Sequence, residues 1–387
     1  MLNLNLNKKI LIFGFIFTFF SSFGQSFFLG LFNTSIRNEL DITHGQFGTI
    51  YAAATIFSSI LLIWFGKKID EISIFNYSLI VITLLGVSSF FFSTITNIYI
   101  LIIATFLMRF SGQGLMSHTS TTTISRYFNK RRGKALSGIW FGLSTAEFIL
   151  PTLIIFLLSI ISWRSIWQYI SLLIFLTLPL IVFYTVKNVK ISSRESLDLN
   201  KIKESNKIKN WKRIEVIKDF KFYIISLNML AMPWIATGVF IYQSFIAESK
   251  FWDIYLIPKS FMIYSITSII TLISSGILVD KFSSRKLVPY INLPMLLGLT
   301  LLFLFDHSLI SYLFFGLLGM SNGLANVLGS STWAEIYGVR YLGGIKALTT
   351  ALMVFSTAFG TALFGYLIDI GLTIEQISLV CIIYVGI

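Results

Sequence analysis

Charge is what this sequence has least of. Only 12% of its 387 residues are charged and 55% are hydrophobic, whereas a soluble domain typically carries about 25% charged residues. A chain of this length cannot cover a water-facing surface with so little charge. Cysteine is nearly absent. The single Cys381 excludes an internal disulfide framework and a cysteine-built metal site. The three histidines, His44, His118 and His307, form no pair at metal-ligand spacing, and the glycines lie in apolar runs rather than in a phosphate-cradling loop. No His, Asp or nucleophile cluster of the kind a membrane-embedded enzyme needs is present. We therefore expect no enzyme, no metal, no cofactor and no nucleic-acid partner, and energy drawn from a gradient rather than from ATP.

What the chain does have is apolar runs of one length. A bilayer core of ~30 Å needs about 20 apolar residues in helix, and such runs recur at 10–32, 45–66, 74–94, 98–126, 134–159, 165–186, 221–247, 257–279, 287–305, 309–334, 345–369 and 374–387. The runs are continuous, which excludes the alternating pattern of a barrel strand. Helix is the remaining way to satisfy the backbone without water. The fold class expected is all-α, with twelve transmembrane helices. The last run is short for a span, and we expect the helix to be truncated in this sequence.

The surplus of base, 30 Lys and Arg against 17 Asp and Glu, orients the chain. Twenty-five of the thirty fall in segments on the side of the N-terminus, which begins with Lys8 and Lys9. The other side holds only Arg37, Arg164, Lys250 and Lys259. Positive charge stays cytoplasmic, so both ends are expected inside, in a multi-pass protein of the cytoplasmic (inner) membrane.

One long polar connection divides the runs six and six. The expected organisation is an N-terminal six-helix bundle over 1–186, a basic, solvated linker over 187–220 and a C-terminal six-helix bundle over 221–387. The halves echo each other. Gly66 and Asp70 recur as Gly276 and Asp280, 210 residues later, and Lys134-Ala-Leu-Ser137 recurs as Lys346-Ala-Leu-Thr349, 212 residues later. Parallel six-span repeats are a transporter architecture with the solute site between the halves.

Charge inside a span is costly and marks function by default. Arg109 lies about 16 Å into the fourth run at ~1.5 Å per residue, with Gln113, Ser117 and Ser120 on its face at helical spacing. It lines a cavity or locks two helices through backbone carbonyls. Glu147, in the fifth run, is the deep carboxylate of the first half. Apolar surroundings disfavour its charged form, so it either takes and releases a proton during transport or rests as a neutral acid bonded to a neighbouring helix. Gln25 and Asn33 in the first run, Tyr242 and Gln243 beyond Pro233 in the seventh, and Asn322 and Asn326 in the tenth are either solute contacts or interhelical bonds. His118, opposite Arg109 on the wheel, is expected to pack.

These residues carry a resemblance to the major facilitator superfamily along essentially the whole chain. Gly276, Asp280, Lys281, Arg285 and Lys286 resemble the family's loop signature. Gly66 and Asp70 resemble its first copy, with Glu71 where a base is usual. Arg109-Phe-Ser-Gly112-Gln-Gly114 and the turn Arg131-Arg132-Gly133 are similar to the family's fourth-span pattern and basic turn. Gly138, Gly142 and Pro151 resemble its antiporter signature only loosely. Trp333-Ala-Glu335-Ile-Tyr337-Gly338 is similar to bacterial members of the monocarboxylate or anion type.

The resemblance implies a secondary transporter working by alternating access as a monomer. It implies gating by Gly66, Asp70, Gly276, Asp280, Arg285, Arg131 and Arg132, each aspartate meeting the opposite bundle. Arg109 and the resemblance together favour a small organic anion, with a coupled proton at Glu147. The alternative is proton-coupled export of an amphiphilic compound.

Overall fold

A computed structural model of the chain describes residues 4–128, 132–187, 189, 211–338 and 342–386, among which no strand occurs. Two compact units divide it, Met1–Leu197 and Asp198–Ile387.

In the first unit α1 (Leu4–Ser21), α2 (Ser26–Leu29) and α3 (Asn33–Leu40) follow one another. Then come α4 (His44–Phe65), α5 (Ile74–Phe92), α6 (Ile98–Met108), α7 (Ser117–Tyr127), α8 (Arg132–Leu158) and α9 (Trp163–Val186). In the second, a short α10 (Arg213–Ile217) leads into α11 (Phe220–Ile241), α12 (Gln243–Ser249), α13 (Leu256–Phe282), α14 (Ser284–Leu287), α15 (Leu293–Leu304), α16 (Leu309–Tyr337), α17 (Leu342–Asp369) and α18 (Ile374–Gly386).

Among the described residues ten helices are long and apolar enough to cross a membrane. A bent pair, Asn7–Gly24 and Ser26–Leu40, meets at 44° and supplies an eleventh crossing, and Ile374–Gly386 is a shorter apolar helix. The chain is thus an all-α, multi-pass membrane protein. The first crossing differs from the expected 10–32 because it is broken and extends to Leu40.

Polar residues set the ends of these helices. Thr43 and Gln46 form a capping box at the start of α4, with Gln46 N donating to Thr43 Oγ1 at 3.1 Å. Asn97 Oδ1 accepts from the backbone of Tyr99 and Ile100 at 3.0 Å. Each cap satisfies donors that helix geometry leaves open.

Small residues set the packing, since helices in lipid gain from close approach rather than from apolar burial. On α8, Gly142 sits against the Phe15 carbonyl of α1, and Thr18 of α1 donates to the Ile139 carbonyl. On α5 and α9, Ser171 Oγ donates to the Gly86 carbonyl at 2.8 Å. In the second unit, Thr267 Oγ1 of α13 donates to the Gly316 carbonyl of α16 at 2.8 Å.

Candidate functional site

Two of the first unit's departures from α-helix touch. The first crossing breaks after Gly24, where a 3-10 turn, Ser22–Gly24, ends and Gln25 takes extended backbone angles (φ −84°, ψ 154°). The fourth crossing widens into a π-helix over Arg109–Met116, a form that gathers at functional positions. Gly24 and Gly112 bring the two together. A Cβ on Gly112 would lie 2.7 Å from the backbone nitrogen of Gly24 and 2.8 Å from its Cα, so only two glycines permit this contact.

Arg109, the first residue of the π-helix, fastens the contact. Its Nη1 donates to the Gly24 carbonyl at 2.9 Å and its Nε to Thr55 Oγ1 of α4 at 3.1 Å. The ring of Tyr51 covers its guanidinium, 4.9 Å from centroid to Cζ. The break explains the first bond. Phe28 N turns to the Gln25 carbonyl, so Gly24 O loses its intrahelical partner and must find another donor in a medium without water. Arg109 is 1% exposed, and among the described residues no carboxylate pairs with it. A buried cation is thus held by neutral acceptors.

Gln25 and Gln113 lie beside these two glycines, both half-buried. Among the described residues neither amide side chain is hydrogen-bonded. The stripe expected below Arg109 does not follow helical spacing, because the π-helix shifts its register. Ser120 turns to α1, donating to the Gly14 carbonyl at 2.8 Å.

Glu147 of α8 is 7% exposed. Among the described residues its carboxyl has no hydrogen-bond or ion-pair partner, and no ion pair joins it to Arg109. The bond to a neighbouring helix that a neutral resting acid would make is not seen.

In the second unit Tyr242 marks the break between α11 and α12 (φ −105°, ψ 25°). It is buried, and its hydroxyl donates to the Thr361 carbonyl at 2.9 Å. Gln243 Nε2 donates to the Phe240 carbonyl at 2.8 Å. Asn322 Nδ2 donates to Ser268 Oγ of α13 at 2.9 Å, and Asn326 is exposed. In the first unit Asn33 accepts from Arg37 Nε at 2.7 Å.

The loop residues divide sharply. His118 Nε2 donates to the Gly66 carbonyl at 3.1 Å, so the packing expected of His118 is against the loop glycine. After α13, Ser283 stands at φ 71°, a conformation disfavoured for non-glycine residues. Glu335 of α16 holds it there, accepting from Ser283 Oγ at 2.7 Å, Ser284 N at 3.0 Å and Arg285 N at 3.2 Å. Arg285 in turn donates to the Glu335 carbonyl. The side chains of Asp70, Asp280 and Arg132, and the whole of Arg131, lie outside the described residues, as do 188 and 190–210 of the expected linker.

Sequence reasoning missed the break after Gly24, the π-helix and the Glu335 loop cap. Helical periodicity cannot register a change of hydrogen-bond spacing. The one available signal was the pairing of Gly24-Gln25 with Gly112-Gln113.

The family model described as Major Facilitator Superfamily matches residues 14–364. No curated protein matches the chain. Among solved structures, one titled as the nucleoside transporter NupG is 14% identical, with a TM-score of 0.72, over 99% of this chain and 96% of that one. A bacterial homolog of the human lysosomal transporter Spinster, inward-facing and occupied, is 12% identical, with a TM-score of 0.71, over 99% and 94%. At such identities the likeness is one of fold.

Proposed function

The chain belongs to the Major Facilitator Superfamily and so carries a small solute across a membrane; on that premise we propose that the solute is a small organic anion, moved by alternating access across the cytoplasmic membrane. The observation that carries this reading is Arg109, a buried guanidinium with no carboxylate beside it among the described residues. An uncompensated charge in low dielectric is costly, and an anionic solute relieves that cost. Gly24 and Thr55 take two of the five guanidinium N–H donors. Gln25 and Gln113 are the neutral amides placed to bond the rest of the solute, and broken helices are where such sites form. Tyr242, Gln243, Asn322 and Asn326 are proposed as solute contacts within the second half.

Glu147 is the proposed proton site, because among the described residues its buried carboxyl lacks the bonded partner that a structural acid would have. Gly66, Asp70, Arg131, Arg132, Gly276, Asp280 and Arg285 are proposed to gate the cytoplasmic side, with the N-terminus inside and a monomer as the working unit. The test is uptake into proteoliposomes of a panel of labelled carboxylates, with and without an imposed proton gradient. Uptake of a carboxylate that Arg109→Gln abolishes is the expected result. Uptake of cations or neutral amphiphiles alone, indifferent to Arg109, would favour export of an amphiphile and overturn the anion.

A further inference from the structure

We infer that the first crossing of each half is pinned at its far end by an ionic clasp, and that the two clasps are one device built with opposite charges. In the first unit, Glu39 in the last turn of α3 accepts from Trp163 Nε1 at 3.0 Å and pairs with Arg164 at the start of α9. Arg164 also donates to the Ile95 carbonyl, in the connection between α5 and α6. In the second unit, Lys250, directly after α12, pairs with Glu375 in the first turn of α18 at 2.7 Å. It also pairs with Asp306 at 2.5 Å and donates to the Phe305 carbonyl at 3.4 Å, in the connection between α15 and α16. Trp252 Nε1 joins the same connection, donating to the Asp306 carbonyl at 2.6 Å.

The correspondence is positional. Glu39 and Lys250 are 211 residues apart, Ile95 and Phe305 are 210, and Arg164 and Glu375 are 211. The loop repeats have this same spacing. Each clasp joins the same three places: the end of the first crossing, the connection between the third and fourth, and the start of the sixth. Acid and base are exchanged between the halves. Two of the four basic residues at the base-poor end, Arg164 and Lys250, are accounted for in this way.

The segments the clasps hold are short. α3 has eight residues and α12 seven, and helices of that length are marginal alone. Each also follows an irregularity in its crossing, a 3-10 turn at Gly30–Phe32 and the break at Tyr242. Without a tie at the far end each would swing or fray. The clasp residues are therefore positioning residues for transport. They fix the pieces of backbone that carry Asn33 and Gln243 and that continue from the break beside Gln25. Opposite polarity also keeps each segment in its own half. An α3 docked into the second half would set Glu39 beside Asp306 and Glu375, and such like-charge contacts are how related partners are told apart. The Lys250 side chain is wholly buried while its partners Asp306 and Glu375 keep 75% and 34% of theirs exposed, and Glu39 and Arg164 keep 44% and 26%.

Hydrogen exchange of the full-length protein in lipid nanodiscs, read by mass spectrometry, tests this whatever the solute proves to be. Glu39→Gln is expected to speed exchange of 33–40 by roughly tenfold and to leave 243–249 unchanged. Lys250→Gln should do the reverse. The exchanged pair Glu39→Arg with Arg164→Glu should slow exchange of 33–40 below either single variant but not to the wild-type rate, because the ion pair returns while the bonds to Trp163 and the Ile95 carbonyl do not. Exchange of α5 is the control for intact folding. Wild-type rates over 33–40 in Glu39→Gln, or an exchanged pair no better than its single variants, would overturn the inference.

Discussion

Arg109 donates to the carbonyl of Gly24 at 2.9 Å, the last carbonyl before the first crossing breaks. One bond thus closes the break and holds a buried cation of the fourth crossing. The bond gives Arg109 a structural role beside its proposed binding role, and substitution separates them. Arg109→Gln should abolish anion uptake at every pH. It should also lower stability by about 1–3 kcal/mol, the cost of leaving a buried acceptor unpaired. Arg109→Lys keeps the charge but not the fork, so part of the uptake and only one of the two bonds should survive. Uptake assays and thermal unfolding in one detergent measure both.

The contact between Gly24 and Gly112 has no room for a methyl group. Gly112→Ala should cost about 1–3 kcal/mol, the usual range for overpacking, and reduce uptake by moving Arg109 away from Gly24. Gly138→Ala is the control. Nothing lies within 4 Å of a Cβ there, and alanine should stabilise the helix by about 0.5–1 kcal/mol. A thermal midpoint that falls for the first variant and rises for the second is the expected outcome.

Glu147 and Arg109 are not an ion pair, so their substitutions should differ in kind. Glu147→Gln should leave anion binding largely intact and remove the dependence of uptake on an imposed proton gradient. The amide cannot take up the proton, while the arginine still holds the anion. Binding measured by calorimetry, beside uptake with and without the gradient, checks this. Equal loss of binding in both single variants, with a double variant no worse, would show one functional unit instead of two.

Glu335 acts on its loop as an N-cap does, accepting two backbone N–H groups and one hydroxyl. Glu335→Ala should cost about 1–2 kcal/mol, at the upper end for a lost cap. It should release Ser283 from its left-handed conformation and make 283–287 a preferred site of proteolysis. Ser283→Gly should relieve the strain and partly restore protection in that background. Limited proteolysis of the two variants decides.

Much of the molecule was determined by sequence alone, for a reason special to lipid. Without water every backbone group must be bonded within its own helix, so the number, approximate limits and type of the crossings follow from where apolar residues run. Gly66 with Asp70 and Gly276 with Asp280 disclosed the repeat, and with Arg109 they disclosed the family. Which residues could be costly inside the membrane was equally plain, since charge there is rare. What those residues touch was not. The partners of Arg109 lie 85 and 54 residues away, at a break and a π-helix that arise because two glycine backbones meet. The charges of Glu39, Arg164, Lys250 and Glu375 read as ordinary ends of helices until tertiary structure set them side by side. Helical periodicity and hydropathy are local quantities. Close approach of backbones and exchange of charge between distant segments are properties of packing, and only the folded chain decides them.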